Sequence, residues 1–169
     1  ELYKALETII PDHITTNDLH FLCLGTDRST GDAFGPLVGS HLKERGFENV
    51  TGTIDDPCHG ANLKDKVNEI PNTKYIVAVD SCLGRPGSVG TMQVVKGSIK
   101  PGTGVGKNLG EYGDASIIGI VNVSGFMEYF VLQSTRLSMV MDLAHMTSEA
   151  IQRLTHNRSA ISVIPCKEA

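Results

Sequence analysis

The sequence feature that most constrains the fold is the apolar run Tyr75-Ile-Val-Ala-Val79, which leads directly into Asp80. A run of this kind, without polar alternation, is typical of a central parallel strand that helices cover on both faces. A second apolar run, His20-Phe-Leu-Cys-Leu24, is bounded by Gly25 and indicates another buried strand. The two runs predict an α/β protein built around a mostly parallel sheet.

The rest of the chain alternates between helical and extended patterns. We predict helices over 1–10, 33–45, 61–67 and 126–155, the last broken near Ser134-Thr135. Further strands are predicted over 50–54, 90–95, 115–123 and 160–164, with a long loop over 97–113. The core stripe of the last helix is Met139, Val140, Leu143, Met146, Ala150, Ile151 and Leu154. This order predicts a three-layer α/β/α sandwich, with residues 1–169 as a single domain.

Charge and cysteine content narrow the class of protein. The formal charge is −4, from 15 Lys and Arg against 19 Asp and Glu, so we expect no nucleic-acid partner. No apolar run reaches the ~18 residues that span a membrane, and we find no signal peptide. The four cysteines form no C-x-x-C pair, which favours a reducing, cytoplasmic setting. We therefore expect a cytoplasmic protein with no membrane partner.

Two aspartates are the candidate catalytic residues. In open α/β sheets, sites form beyond the carboxyl ends of the strands. Asp32 follows the first strand by a short loop, and Asp80 is predicted to be the last residue of the central strand. If these strands are neighbours, both carboxylates face one gap, where they could share a proton or hold a metal. The structural alternatives are a helix cap for Asp32 and a loop contact for Asp80.

Six other residues are candidates for substrate binding: Asp27, Arg28, His59, Lys107, Asn122 and Arg136. The alternative for the charged residues is a solvated surface position, and lone histidines are more often neither base nor ligand. Cys58 and His59 are adjacent, so in an extended chain their side chains diverge and do not form a nucleophile–base pair. We expect no cofactor. A divalent metal is the alternative, with Asp32, His59 and Asp80 as its ligands.

Several motifs together resemble the YyaC family (DUF1256-type) of sporulation proteins from spore-forming Firmicutes. They are Gly25-Thr-Asp-Arg-Ser-Thr-Gly-Asp32-Ala-Phe-Gly-Pro36, Val79-Asp80-Ser-Cys-Leu-Gly84, Lys100-Pro-Gly-Thr-Gly-Val-Gly-Lys107, Gly119-Ile-Val-Asn-Val123 and Leu132-Gln-Ser-Thr-Arg-Leu137. That family is similar to the spore germination protease and to the hydrogenase maturation endopeptidases. Both share a GN-x(5)-[DE]-x-x-G-like segment, whose acidic position falls on Asp32 and whose second position is Thr26 here.

The resemblance implies a phosphorylase/hydrolase-like fold, with a five-stranded sheet in the order 2-1-3-5-4 and one antiparallel strand. It also implies a peptidase of the germination-protease type, in which Asp32 and Asp80 hydrolyse a protein of the forespore or spore core. One alternative is a non-catalytic sporulation protein that binds a peptide or protein partner in the same cleft. The other is the metal-dependent hydrolase. The later histidine ligand of the hydrogenase endopeptidases has no counterpart in this sequence.

Overall fold

The computed structural model describes residues 1–102 and 109–161, with side chains up to residue 158. The helices are α1 (Leu2–Ile9), α2 (Phe34–Glu44), α3 (Leu63–Asn68), α4 (Glu128–Gln133) and α5 (Leu137–Ile161). The strands are β1 (Leu19–Cys23), β2 (Val50–Thr51), β3 (Tyr75–Gly84), β4 (Met92–Lys96) and β5 (Ala115–Val123). The predicted break in the last helix is confirmed, since α4 ends and α5 begins around residues 134–136.

The five strands form one sheet in the order β2-β1-β3-β5-β4. β1 pairs in parallel with β2 and with β3, and β3 pairs in parallel with β5. β4 is antiparallel to β5. The strand order and the single antiparallel strand are as the resemblance implied, and the apolar run that ends at Val79 lies in the middle strand.

Helices cover both faces of the sheet, which confirms the three-layer architecture. On one face the main core unites side chains of α1, α2 and α5 with the strands, among them Leu6, Phe34, Val79 and Leu143. On the other face Leu22 and Leu24 of the β1 segment pack with Cys58 and with Leu63 of α3. Alternation along β1 explains this division, because successive side chains of a strand point to opposite faces.

Three predicted boundaries are wrong. The middle strand does not end at Asp80 but continues to Gly84, because β5 goes on pairing with β3 after β1 has ended. The strand predicted over 50–54 covers only Val50–Thr51, since the chain turns at Gly52 with φ +93°. The strand predicted over 160–164 begins within α5, which extends to Ile161, and its remaining residues lie outside the described part.

The core stripe of α5 is confirmed except at one position. Val140, Leu143, Ile151 and Leu154 are buried, whereas Met146 is 46% exposed. α5 has more apolar residues than fit on the face that packs against the sheet and α2. Met146 is therefore a surface residue.

Candidate active site

The segment between β1 and α2 folds back tightly over the end of β1. The Gly25 N–H donates to the Cys58 carbonyl at 2.8 Å, and the Thr26 N–H donates to the Asp32 carbonyl at 3.1 Å. A β-carbon on Gly25 would stand 1.9 Å from the Asp32 carbonyl oxygen, and the Gly25 φ of +134° also favours glycine. Glycine at position 25 thus fixes Asp32 in the short 3₁₀ turn Gly31–Ala33, at the entrance of α2.

Asp32 is not a helix cap. The residue that caps α2 is Ala33, and no side-chain hydrogen bond caps this helix. The Asp32 side chain is half-buried, and this burial raises the pKa of its carboxyl. The hydroxyls of Ser29 and Ser81 lie beside the carboxyl and offset part of the rise. Neither hydroxyl reaches it with full hydrogen-bond geometry, and both oxygens are buried without a partner among the described residues.

Asp80 lies on β3 one residue beyond the end of the β1–β3 pairing, which stops at Cys23 and Val79. Its Oδ1 accepts a hydrogen bond from the Ser81 N–H at 2.8 Å. Burial raises the pKa of Asp80 to about 7, and the negative charge of Asp32 adds to the rise. The hydrogen bond from Ser81 acts in the opposite direction and is outweighed. Asp80 is therefore protonated in a substantial fraction of molecules at neutral pH.

The charge of Asp32 acts on Asp80 at the end of β1. Val79 belongs to the core on the α2 side, so alternation directs Asp80 to the opposite face of the sheet. Asp32 comes from the turn that enters α2. Because β1 has ended at this level, no strand separates the two groups, and the charge of Asp32 reaches Asp80. The expectation that one gap holds both side chains stays a prediction.

The chemistry available to this pair follows from its electrostatics. Burial and the charge of Asp32 disfavour the ionised form of Asp80, so a substantial fraction of molecules carries a proton on Asp80 at neutral pH. Asp80 is the member whose pKa is raised to about 7, and the charge that helps to raise it is that of an ionised Asp32. Asp80 is thus a candidate acid and Asp32 a candidate base at the same end of β1. This combination suits general acid–base hydrolysis.

The Cys58–His59 segment borders the site but does not form a thiol nucleophile. Cys58 is fully buried, and burial raises the pKa of its thiol to about 11, so the thiolate is scarce at neutral pH. Asp80 contributes to this rise, which places Cys58 near the aspartates. The N–H of His59 donates to Asn62 Oδ1 at 2.9 Å, and its Nδ1 accepts from the Ala61 N–H at 3.3 Å. His59 is therefore held in the turn that precedes α3.

The alternative metal site is not assembled in the structure. Within residues 1–102 and 109–158, no group of three His, Cys, Asp or Glu side chains is arranged to hold a metal ion. The proposed ligands Asp32, His59 and Asp80 do not make such a group.

The described helices also include none long and apolar enough to cross a bilayer.

Asn122, a predicted substrate-binding residue, instead joins β5 to α4. Its Nδ2 donates to the Val131 carbonyl at 3.3 Å and to Thr135 Oγ1 at 3.2 Å. Thr135 is also a close neighbour of Gly31, where an added β-carbon would stand 3.1 Å from Thr135 Oγ1. Asn122 thus anchors α4 beside the turn that carries Asp32, and its role in substrate binding stays a prediction.

Among the described residues, no hydrogen bond or ion pair joins the side chains of Asp27, Arg28 or Arg136 to the two aspartates. Asp27 and Arg28 are exposed in the loop after β1, and no ion pair joins them. Arg136 is exposed between α4 and α5 and forms no ion pair within the described part of the chain. Lys107 lies outside the described residues. Their roles in substrate binding stay predictions.

An apolar surface beside the site was missed by the sequence analysis. Around α4 six apolar side chains are exposed; we call them the α4 apolar surface: Val123, Phe126, Met127, Tyr129, Phe130 and Leu137. Phe126 is 88% exposed, and the rings of Tyr129 and Phe130 form an edge-to-face pair at 5.7 Å. The segment was predicted as the start of the helix over 126–155, without an exposed apolar face. Phe126, Tyr129 and Phe130 fall within five positions, more aromatic residues than one helix face can bury. This spacing was the signal in the sequence for an exposed apolar surface.

The fold is similar to that of a known protease. The structure resembles the [NiFe] hydrogenase maturation protease HycI from Thermococcus kodakarensis KOD1, with a TM-score of 0.55. The match covers 90% of this chain and 99% of the other, at 20% sequence identity, so it shows a shared peptidase-like fold and no more.

The sequence comparisons then show the family. Residues 1–150 match the family described as "Protein of unknown function (DUF1256)", and the chain belongs to that family. It is also similar to the uncharacterized protein YyaC of Bacillus subtilis (strain 168). The two are 54% identical over 156 residues, which cover 88% of this chain and 76% of YyaC. The resemblance drawn from the motifs is confirmed.

Proposed function

We propose that the protein is a peptidase in which Asp32 and Asp80 act as one catalytic unit. The single observation that carries the proposal is the raised pKa of Asp80, about 7, which burial and the charge of Asp32 produce together. A carboxyl that is protonated at neutral pH beside an ionised one is a recurrent arrangement for acid–base catalysis. The peptidase-like fold supports the proposal, although it does not by itself imply activity.

In the proposed reaction, ionised Asp32 accepts a proton from a water molecule as its oxygen attacks the scissile carbonyl carbon. The protonated carboxyl of Asp80 donates its proton to the amide nitrogen as the C–N bond breaks. The products are a new carboxyl terminus and a new amino terminus. Asp32 then carries a proton and Asp80 is ionised, and transfer of one proton between the two carboxyls restores the starting state.

The substrate we propose is a protein of the developing or germinating spore, and the site of action is the cytoplasm of the forespore or the spore core. The support is membership of a family that includes a Bacillus subtilis protein, together with the motif resemblance to sporulation proteins. No cofactor enters the proposed reaction, because water and the two aspartates supply every proton and bond that changes.

A second candidate is a non-catalytic sporulation protein that binds a peptide or protein partner in the same cleft. The observation that favours it is the α4 apolar surface, which offers binding area without any catalytic demand. This candidate requires the fold and α4, but it does not require the protonation states of the two aspartates.

The test is a cleavage assay on small acid-soluble spore proteins, with new chain termini read by mass spectrometry. We expect cleavage by the wild type, and a loss of about 10²-fold or more in Asp32→Asn and in Asp80→Asn. Asp142→Asn, at an exposed position of α5, is the matched control and should retain activity. Activity should fall as the pH rises above about 7, because Asp80 then loses its proton. Equal activity in all variants contradicts the proposal, and no cleavage by folded wild-type protein favours the binding candidate.

A further inference from the structure

The α4 apolar surface is held in place by its surroundings rather than left as a loose loop. The Ser124 N–H donates to the Gly84 carbonyl at 2.8 Å, and the Gly125 N–H donates to Glu128 Oε1 at 3.1 Å. Met127 precedes α4 with φ 56° and ψ 45°, a left-handed conformation that is uncommon for a residue with a side chain. Conformations of this kind persist where the surrounding structure imposes them, and they cluster at functional sites.

The helix that carries this surface packs against the turn that carries Asp32. Leu132 and Thr135 pack against Gly31, the residue before Asp32, so closely that a β-carbon there would stand 2.9 Å from Leu132 Cδ2. The amide of Asn122 ties the same helix to the end of β5. Leu132 lies on the buried face of α4, so the helix that holds the exposed side chains is a direct neighbour of the Asp32 turn.

The size of the surface distinguishes between its candidate occupants. Six exposed apolar residues form it, whereas a stable interface between two proteins uses about 20–30 residues on each side. The area is therefore small for a stable dimer of this chain. It fits one or two bulky apolar side chains of a peptide, and exposed aromatic residues are the usual anchors of such contacts.

We propose that the α4 apolar surface is the specificity site of the aspartate pair and binds an aromatic or large aliphatic side chain of the substrate peptide. This inference rests on the proposed peptidase function. Phe126 and Phe130 supply the main contact area, with Tyr129 packed against Phe130 as its support. The site selects for an apolar residue near the scissile bond, and a chain with polar residues at that position binds weakly.

The test uses a displayed library of short random peptides, selected on the Asp32→Asn variant so that bound peptides remain intact. We expect the selected sequences to be enriched in Phe, Tyr, Leu or Met over the input library. Peptides resynthesised from the selection should bind at least about tenfold more weakly when Phe126→Ser and Phe130→Ser are combined with Asp32→Asn. Val95→Ser and Met146→Ser, in the same Asp32→Asn background, remove other exposed apolar side chains elsewhere and should leave binding unchanged.

The outcomes separate this inference from the peptidase proposal. Selected peptides without apolar enrichment, or binding that survives the two serine substitutions in a protein with unchanged thermal unfolding, overturn the inference. A monomer–dimer equilibrium in sedimentation that the same substitutions abolish also overturns it, because the surface is then a contact between two copies. Apolar-selective binding without any cleavage by the wild type leaves the specificity site standing as a binding site and contradicts the peptidase proposal alone.

Discussion

The carbonyl oxygen of Asp32 lies 1.9 Å from the point where a β-carbon on Gly25 would stand. This contact joins the end of β1 to the turn that carries the candidate base, so the position of Asp32 depends on the absence of a side chain seven residues earlier. The Thr26 N–H donates to the same carbonyl at 3.1 Å and fixes its direction. The geometry of the acidic pair is thus set partly by backbone contacts.

Substitution of Gly25 by Ala should destabilise the protein by about 3 kcal/mol or more, because the new β-carbon meets backbone at a φ of +134°. Chemical denaturation measures the change. Gly87→Ala is the matched control: no atom lies within 4 Å of its β-carbon position, and a change of about 0.5 kcal/mol or less is expected. Equal effects of the two substitutions would show that the Gly25 contact is absent in solution.

Asp80→Asn should stabilise the protein at alkaline pH. The folded-state pKa of Asp80 is about 7, above its ordinary value of 3.8, so the folded state binds more protons than the unfolded state between these values. The wild type therefore loses stability as the pH rises from 4 to 7, by about 4 kcal/mol in the limit of full ionisation. The neutral variant lacks this loss, and its melting temperature should exceed that of the wild type at pH 8. A lower melting temperature there would contradict the burial of Asp80.

His20 should make the protein sensitive to acid. Its side chain is buried beside Thr51, and burial lowers its pKa to about 4, with the charges of Lys74 and Lys43 adding to the effect. The unfolded state therefore binds a proton that the folded state does not, and stability falls as the pH drops from 6.5 to about 4. The loss attributable to His20 is about 3 kcal/mol. Unfolding free energies of His20→Gln measured at several pH values should show a smaller loss than the wild type over this range, and a similar loss would contradict the prediction.

Asn122→Ala should loosen α4. The substitution removes donors to the Val131 carbonyl and to Thr135 Oγ1, and we expect a loss of about 1–3 kcal/mol in the free energy of unfolding. Asn49→Ala removes a single exposed hydrogen bond to the Asn17 carbonyl and should cost less. Hydrogen exchange of the α4 amides should accelerate in the first variant and not in the second. Unchanged exchange in Asn122→Ala would show that α4 is anchored by other contacts.

The strands could be predicted from sequence because burial on two faces leaves an apolar run, as in Tyr75–Val79. The end of β3 could not be predicted, because Ser81–Gly84 pair with β5 while β1 has already stopped. That end depends on which strands are neighbours, and the residues of β3 carry no local signal for it. Residues 160–161 show the reverse case: they were predicted to begin a strand but belong to α5, because short apolar stretches do not distinguish the two structures.

The two aspartates could be predicted because each follows an apolar strand run. The positions of the Ser29 and Ser81 hydroxyls beside Asp32 could not be predicted, because they depend on how the loop after β1 folds over β3. Asn122 was predicted to bind substrate because it lies near the end of a strand, and the sequence did not indicate that its amide also donates to the Val131 carbonyl and Thr135 Oγ1. Residue type and position near a strand end thus indicate the site, whereas the partner of each side chain depends on tertiary packing.

The most direct test of the acidic pair is a carboxyl titration of Asp80 by carbon NMR, in the wild type and in Asp32→Asn. We expect the Asp80 carboxyl of the wild type to titrate with a midpoint of about pH 7. In Asp32→Asn the midpoint should be lower, because the neighbouring negative charge is gone, and still above the ordinary value of 3.8, because burial remains. An Asp80 midpoint near 3.8 in the wild type, or one that Asp32→Asn leaves unchanged, would contradict the coupling on which the proposed chemistry depends.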